Sequence, residues 1–190
     1  MKTLFGLAAE VQGFLEDQGW KFAFIGGLAL QRWGEPRLTV DVDLTLLAGF
    51  GDEEKFIDEL LKRYKGRRED TREFALKTRV LLLQSEDGIG IDISLGALPF
   101  EEVLIERATY FEFLPGLKIL TCSAEDQVVL KAFADRARDW ADLEGILIRQ
   151  QDRLEWEYIN KHLPPLCAAK EAPEILDKLW ELKRRINPSG

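Results

Sequence analysis

The sequence predicts a mixed α/β front of roughly 120 residues followed by an all-helical back. Three observations carry that reading. Apolar residues recur at helical spacing at the start and then give way to short apolar runs of strand length, separated by Gly, Pro and Asp turns. The stretch from Val40 to Leu44 alternates apolar residues with carboxylates, the period of two of a strand with two different faces. Beyond Ser123 the apolar patterns have helical spacing throughout. Residues 1–120 therefore read as an α/β core and 121–190 as a helical subdomain packed on it, with no low-complexity linker or internal repeat between them.

In order along the chain, Leu4, Leu7, Ala8, Val11 and Leu15 mark a first helix that stops near Gly19, and residues 20–25 form a strand. Gly26-Gly27 ends that strand and opens a short helix over 28–33, which Gly34-Glu35-Pro36 terminates. A strand over 39–47 follows, then an amphipathic helix through Phe56, Ile57, Leu60, Leu61 and Tyr64. Residues 79–84 and 89–95 read as a hairpin turning at Glu86-Asp87-Gly88. Pro99 opens a helix, and Pro115-Gly116 separates two further short strands. Ser123 caps the first of the back helices, the last two of which span 155–168 and 173–186.

Composition limits the function classes. Thirty-four acidic against 26 basic residues give a net charge of −8, which excludes a protein that coats nucleic acid through a general positive field. Two local runs, Lys62, Arg63, Lys65, Arg67 and Arg68, and Lys178, Lys183, Arg184 and Arg185, read either as solvated faces or as a polyanion-binding stripe. No apolar run reaches the ~18 residues of a membrane span, so a soluble, cytoplasmic protein without a membrane partner is expected. Cys122 and Cys167 lack CxxC spacing and have only His162 to join them, so both read as buried thiols with no structural zinc.

The chemistry is concentrated in three aspartates. Asp is depleted in strands, yet Asp41 and Asp43 sit at i and i+2 between apolar residues, and so share one face. Like charges that close repel, and a divalent cation removes the conflict; oxygen-only ligands point to Mg²⁺ or Mn²⁺. Asp92, inside Ile91-Asp92-Ile93, supplies a third carboxylate on a strand that can lie beside the first pair. Three such ligands suit two metal ions clamping the oxygens of phosphoryl transfer. Upstream, Gly26-Gly27 offers bare N–H groups at a helix start, where a phosphate can approach closely.

The stretch from Ile25 to Leu47, with Gly26-Gly27 and Arg37-x-Thr39-x-Asp41-x-Asp43, resembles the signature of the DNA polymerase β-like nucleotidyltransferase superfamily. The downstream segment 125–147 is similar to the small bacterial AbiEii-type and minimal nucleotidyltransferase branch, and the likeness covers about residues 20–150. It implies a short mixed sheet flanked by helices, with a C-terminal helical portion. It also implies that Asp41, Asp43 and Asp92 are catalytic metal ligands, and that Gly26 and Gly27 cradle the phosphates of an NTP. Arg37, Thr39 and Lys131 join them as nucleotide-binding groups, Lys131 reaching the triphosphate. Gly27 stands where many relatives carry Ser. Asp139 and Asp142 match an Arg-x-x-Asp-x-x-Asp pattern starting at Arg136, and read either as ion pairs with Arg136 and Arg138 or as further site residues.

The activity implied is Mg²⁺- or Mn²⁺-dependent transfer of a nucleoside monophosphate to an acceptor hydroxyl on RNA such as tRNA, on a protein or on a small molecule. A toxin–antitoxin or defence setting goes with it. The alternatives are a catalytically silent, antitoxin-like binding protein on the same fold, and an antibiotic-modifying nucleotidyltransferase.

Overall fold

The computed structural model describes residues 3–186. Along the first part of the chain lie α1 (Leu4–Asp17), β1 (Phe22–Phe24), α2 (Gly26–Trp33), β2 (Asp41–Leu47), α3 (Glu53–Arg63), β3 (Lys65–Gly66), α4 (Thr71–Thr78), β4 (Val80–Gln84), β5 (Gly90–Gly96), α5 (Pro99–Arg107), β6 (Thr109–Leu114) and β7 (Leu117–Thr121). The back holds α6 (Ala124–Ala134), α7 (Ala137–Gln150), α8 (Trp156–Ala169) and α9 (Glu174–Ile186). The mixed α/β class read from the sequence is the class observed. No helix among the described residues is long and apolar enough to cross a membrane.

The chain divides into two compact units, one of residues up to 28 together with 38–122, the other of 29–37 together with 123 onward. The first is the sheet unit. Its seven described strands run in the order β3-β4-β5-β2-β1-β7-β6. The β2–β5 and β1–β7 pairs are parallel and the others antiparallel, including the hairpin of β4 and β5. Register puts Val42 beside Ile91, Leu44 beside Ile93 and Phe24, and Leu81 beside Ile93, so one face of the sheet is continuously apolar. Leu7, Val11 and Leu15 of α1 and Ile57 and Leu60 of α3 complete that core. The other face carries Asp41, Asp43, Thr45, Asp92 and Ser94, and α5 packs along β1 and β2.

Local chemistry fixes the helix starts. Thr3 accepts a hydrogen bond from Gly6 N–H at 3.1 Å at the start of α1. Pro99 stands at the first position of α5, where its missing N–H costs nothing, and Glu101 Oε2 accepts from the N–H groups of Ala97 and Leu98 at 2.8 and 2.9 Å.

In the helical unit Ser123 and Asp126 cap α6 reciprocally. Ser123 Oγ accepts from Asp126 N–H at 3.1 Å, and Asp126 Oδ2 accepts from Ser123 N–H at 3.1 Å. Helix α6 packs on α7, α8 and α9. The turn after α2 belongs to this unit as well: Arg149 donates to Gly34 O at 2.6 Å and Gln150 to Trp33 O at 2.6 Å.

Leu44 is fully buried on β2, between Phe24 and Ile93 in register. Leu44→Ala is expected to lower unfolding free energy by about 2–5 kcal/mol, the range for a buried leucine whose cavity cannot collapse. Denaturant melts check this; a loss below about 1 kcal/mol would mean the neighbours close the gap.

Candidate active site

The polar face of β2 and β5 is built around one facing pair. The two strands run parallel with Asp43 directly opposite Asp92 and Asp41 opposite Gly90. Neighbouring strands lie about 4.8 Å apart, so the Asp43 and Asp92 carboxylates start from adjacent positions. Buried Val42, Leu44, Ile91 and Ile93 on the reverse face lock this register, because a slip by one residue would turn the acids into the core. All three aspartates are half-buried.

Both glycines are required where they stand. Gly26 opens α2 at φ +57°, and a Cβ there would lie 2.2 Å from Asp43 Oδ2. At Gly27 a Cβ would lie 2.2 Å from Thr39 Oγ1, while Gly27 N–H donates to Asp43 Oδ2 at 3.4 Å. The electropositive start of α2 therefore faces the Asp43 carboxylate. Thr39 Oγ1 in turn donates to Asp41 O at 3.3 Å. Gly26, Gly27, Thr39, Asp41, Asp43 and Asp92 thus gather in the sheet unit.

Arg67 also belongs to this group, although in the sequence it reads only as one cation of a basic run. It follows the short edge strand β3, and its N–H donates to Leu82 O at 3.0 Å. Leu82 lies opposite Asp92, so Arg67, just past the end of β3, is in a row with Leu82 of β4, Asp92 of β5 and Asp43 of β2. The Arg67 guanidinium forms an ion pair with Asp92 Oδ1. Burial pushes the Asp92 carboxyl above the usual carboxylate range, Arg67 pulls it down, and the charge of Asp41 pushes it up again. With Asp92 turned to Arg67 and Asp43 to α2, the described residues hold no group of three His, Cys, Asp or Glu side chains arranged to hold a metal ion.

Arg37 and Lys131 lie in the helical unit, engaged by carboxylates there. Arg37 Nε and Nη2 donate to the two oxygens of Asp142 at 2.8 and 2.9 Å. Buried Lys131 donates to Asp139 Oδ1 at 3.0 Å and lies 2.6 Å from Asp142 Oδ2, and Arg136 Nε donates to Asp139 Oδ2 at 2.6 Å. Of the two readings of Asp139 and Asp142, the geometry matches ion pairing, with Lys131 and Arg37 as partners besides Arg136. Burial pushes both carboxyls up, but hydrogen bonds from Arg136 and Lys131 on Asp139, and from Arg37 and Lys131 on Asp142, outweigh it and hold both below the usual range.

Most cations of the two basic runs are engaged within the protein. Lys62 pairs with Glu59, Arg63 with Glu10 and Arg68 with Asp70. Lys178 pairs with Asp135 and Arg185 with Glu144, while the Lys183 ammonium lies over the rings of Trp156 and Trp180. Cys122 and Cys167 are buried, and His162 packs against the ring of Tyr158.

Removing Lys131 leaves two buried carboxylates short of a cation. Lys131→Met is expected to cost about 3–5 kcal/mol of stability at neutral pH. Folded-state carboxyls held below their unfolded values stabilise above that range, and the stability is lost as pH falls through the folded values. The wild type should therefore lose stability below about pH 4, and Lys131→Met should show a weaker loss there. Urea melts from pH 3 to 7 check both; equal pH profiles would show that Lys131 does not set these carboxyls.

A family model described as "Nucleotidyl transferase AbiEii toxin, Type IV TA system" matches residues 14–186. The curated proteins give no match. An antigenic nucleotidyltransferase-like protein from Paracoccidioides brasiliensis shares the fold at TM-score 0.54 and 18% identity, over 93% of this chain and 91% of that one. The lincosamide antibiotic adenylyltransferase LnuA, lincomycin-bound, gives TM-score 0.49 and 16% identity over 72% of this chain and 92% of its own. With the family model spanning nearly the whole sequence, the chain belongs to the AbiEii nucleotidyltransferase toxin family, of the polymerase β-like superfamily, and is a nucleotidyltransferase.

Proposed function

We propose that the protein transfers a nucleoside monophosphate from an NTP to an acceptor hydroxyl with release of pyrophosphate, using Mg²⁺ or Mn²⁺ held by Asp41, Asp43 and Asp92. The observation that carries this reading is the in-register facing of Asp43 and Asp92, with Asp41 on the same face and Gly27 N–H on Asp43. The donor set is all oxygen and partly buried, which fits a hard divalent cation. Metal bound there supplies charge neutralisation for the triphosphate and polarises the attacked phosphorus.

The chain's own groups do the rest. The start of α2 turns the N–H groups of Gly26 and Gly27 toward the phosphates, with Thr39 beside them. Asp92, in register opposite Asp43 on the polar face, is suited to receive the proton of the attacking hydroxyl. The acceptor oxygen attacks the α-phosphorus in line and pyrophosphate leaves from the far side, so no covalent intermediate on the protein is needed. A toxin role goes with the family to which the chain belongs, and the proposal puts its action in the cytoplasm, on an RNA or protein acceptor.

The test is incubation with each α-labelled NTP, Mg²⁺ or Mn²⁺, and separate RNA, protein and small-molecule pools. Label is expected in one pool with the wild type and in none with Asp43→Asn. In the presence of a chelator Asp43→Asn should melt at or slightly above the wild-type temperature, because one of three repelling charges is removed. Retained transfer in Asp43→Asn would overturn the reading, and so would a loss of about 1–3 kcal/mol of its metal-free stability, the mark of a structural carboxylate.

A further inference from the structure

We infer that Arg67 is a built-in counter-ion that competes with the divalent cation for Asp92, so that metal loading releases its guanidinium from the carboxylate. This inference rests on the proposed role of Asp92.

Three features of the sheet unit point to it. First, Arg67 reaches its partner across a strand: the row Arg67, Leu82, Asp92, Asp43 places the two ends of the Arg67–Asp92 pair two strands apart, about 10 Å between backbones. Only a long side chain lying along the sheet spans that distance. Second, the path is kept clear by Gly90, opposite Asp41: a Cβ there would lie 3.0 Å from Arg67 Nη1 and 3.3 Å from Asp41 Cβ. The guanidinium thus lies over Gly90, in the space bounded by Asp41 and Asp92. Third, the backbone that delivers Arg67 is pinned. Buried Thr71 accepts from Arg68 N–H at 3.0 Å and donates to Arg68 O at 2.7 Å, and a Cβ on Gly66 would strike Thr71 Oγ1 at 2.5 Å. A fixed backbone and a 30% exposed side chain let the guanidinium leave Asp92 without refolding of the strand.

The chemistry follows from charge. Three half-buried carboxylates on one face repel, and a cation between two of them relieves the strain in the metal-free protein. A divalent ion bound to Asp92 takes over that role, and two cations cannot share the space over Gly90 without repelling each other. Arg67 then acts as a positioning residue. It holds the site assembled before loading, and on release it is a bidentate donor beside the phosphates.

The experiment titrates Mn²⁺, without nucleotide, into wild type, Arg67→Gln, Arg67→Lys and Asp92→Asn, reading free Mn²⁺ by electron paramagnetic resonance, with melting temperatures in chelator and in saturating Mn²⁺. Arg67→Gln should bind Mn²⁺ about twofold to fivefold more tightly, the range for losing one partly exposed competing ion pair, with Arg67→Lys between it and wild type. Arg67→Gln should also melt lower in chelator and level with wild type in Mn²⁺. Unchanged or weaker Mn²⁺ binding in both Arg67 variants, with Asp92→Asn weakened, would overturn the competition while leaving the metal site intact. Wild-type affinity in Asp92→Asn would instead remove the metal role of Asp92 itself. If Arg67→Gln does not fold, Arg67→Lys alone decides.

Discussion

The polar face of this sheet is governed by repulsion among three carboxylates, two of which face each other across a parallel strand pair. The apolar reverse face leaves the aspartates no alternative register, because Val42, Leu44, Ile91 and Ile93 lose their burial if either strand shifts. What surrounds the acids follows from that constraint. Glycine at 26 and 27 brings a helix start onto Asp43, glycine at 90 clears a path for a guanidinium onto Asp92, and the buried Thr71 hydroxyl holds the turn that presents it.

The helical unit shows the same residue types in a different balance. There two carboxylates, Asp139 and Asp142, meet three cations, Arg37, Lys131 and Arg136, and both carboxyls are held below their ordinary range. In the sheet unit three carboxylates have one guanidinium and one helix start among their partners, and the Asp92 carboxyl is pushed up. A carboxyl held low by its partners stabilises the fold, and one raised by burial, as at Asp92, is carried at a cost to stability. The two groups differ in this balance rather than in burial, since all five aspartates are at least half withdrawn from solvent.

Much of this was legible in the sequence because the signals were periodic or punctuated. The Asp41-x-Asp43 alternation, the Asp92 strand, the Gly26-Gly27 helix start, the hairpin around Gly88 and the Ser123 cap each rest on local rules, and each element is where those rules put it. Strand β3 was illegible because two residues have no period, and α4 because eight residues with two buried positions give too weak a pattern. Arg67 hid in a run of five cations, a composition that reads as solvated surface whatever one member does. Arg37 and Asp142 meet across 105 positions, and a single sequence carries no trace of such a pairing. The same holds for residues 29–37, whose contacts join them to a unit that resumes at 123.

In the proposed activity Asp41, Asp43 and Asp92 act together on one cation-bound nucleotide. The most direct measurement is anomalous diffraction at the manganese edge from crystals grown with Mn²⁺ and a non-hydrolysable NTP analogue. Manganese peaks bridging all three carboxylates to the triphosphate, with phosphate oxygens at the Gly26-Gly27 turn and Asp92 no longer paired with Arg67, are the expected result. Nucleotide bound elsewhere, or manganese absent from the three aspartates while Arg67 still holds Asp92, would contradict it.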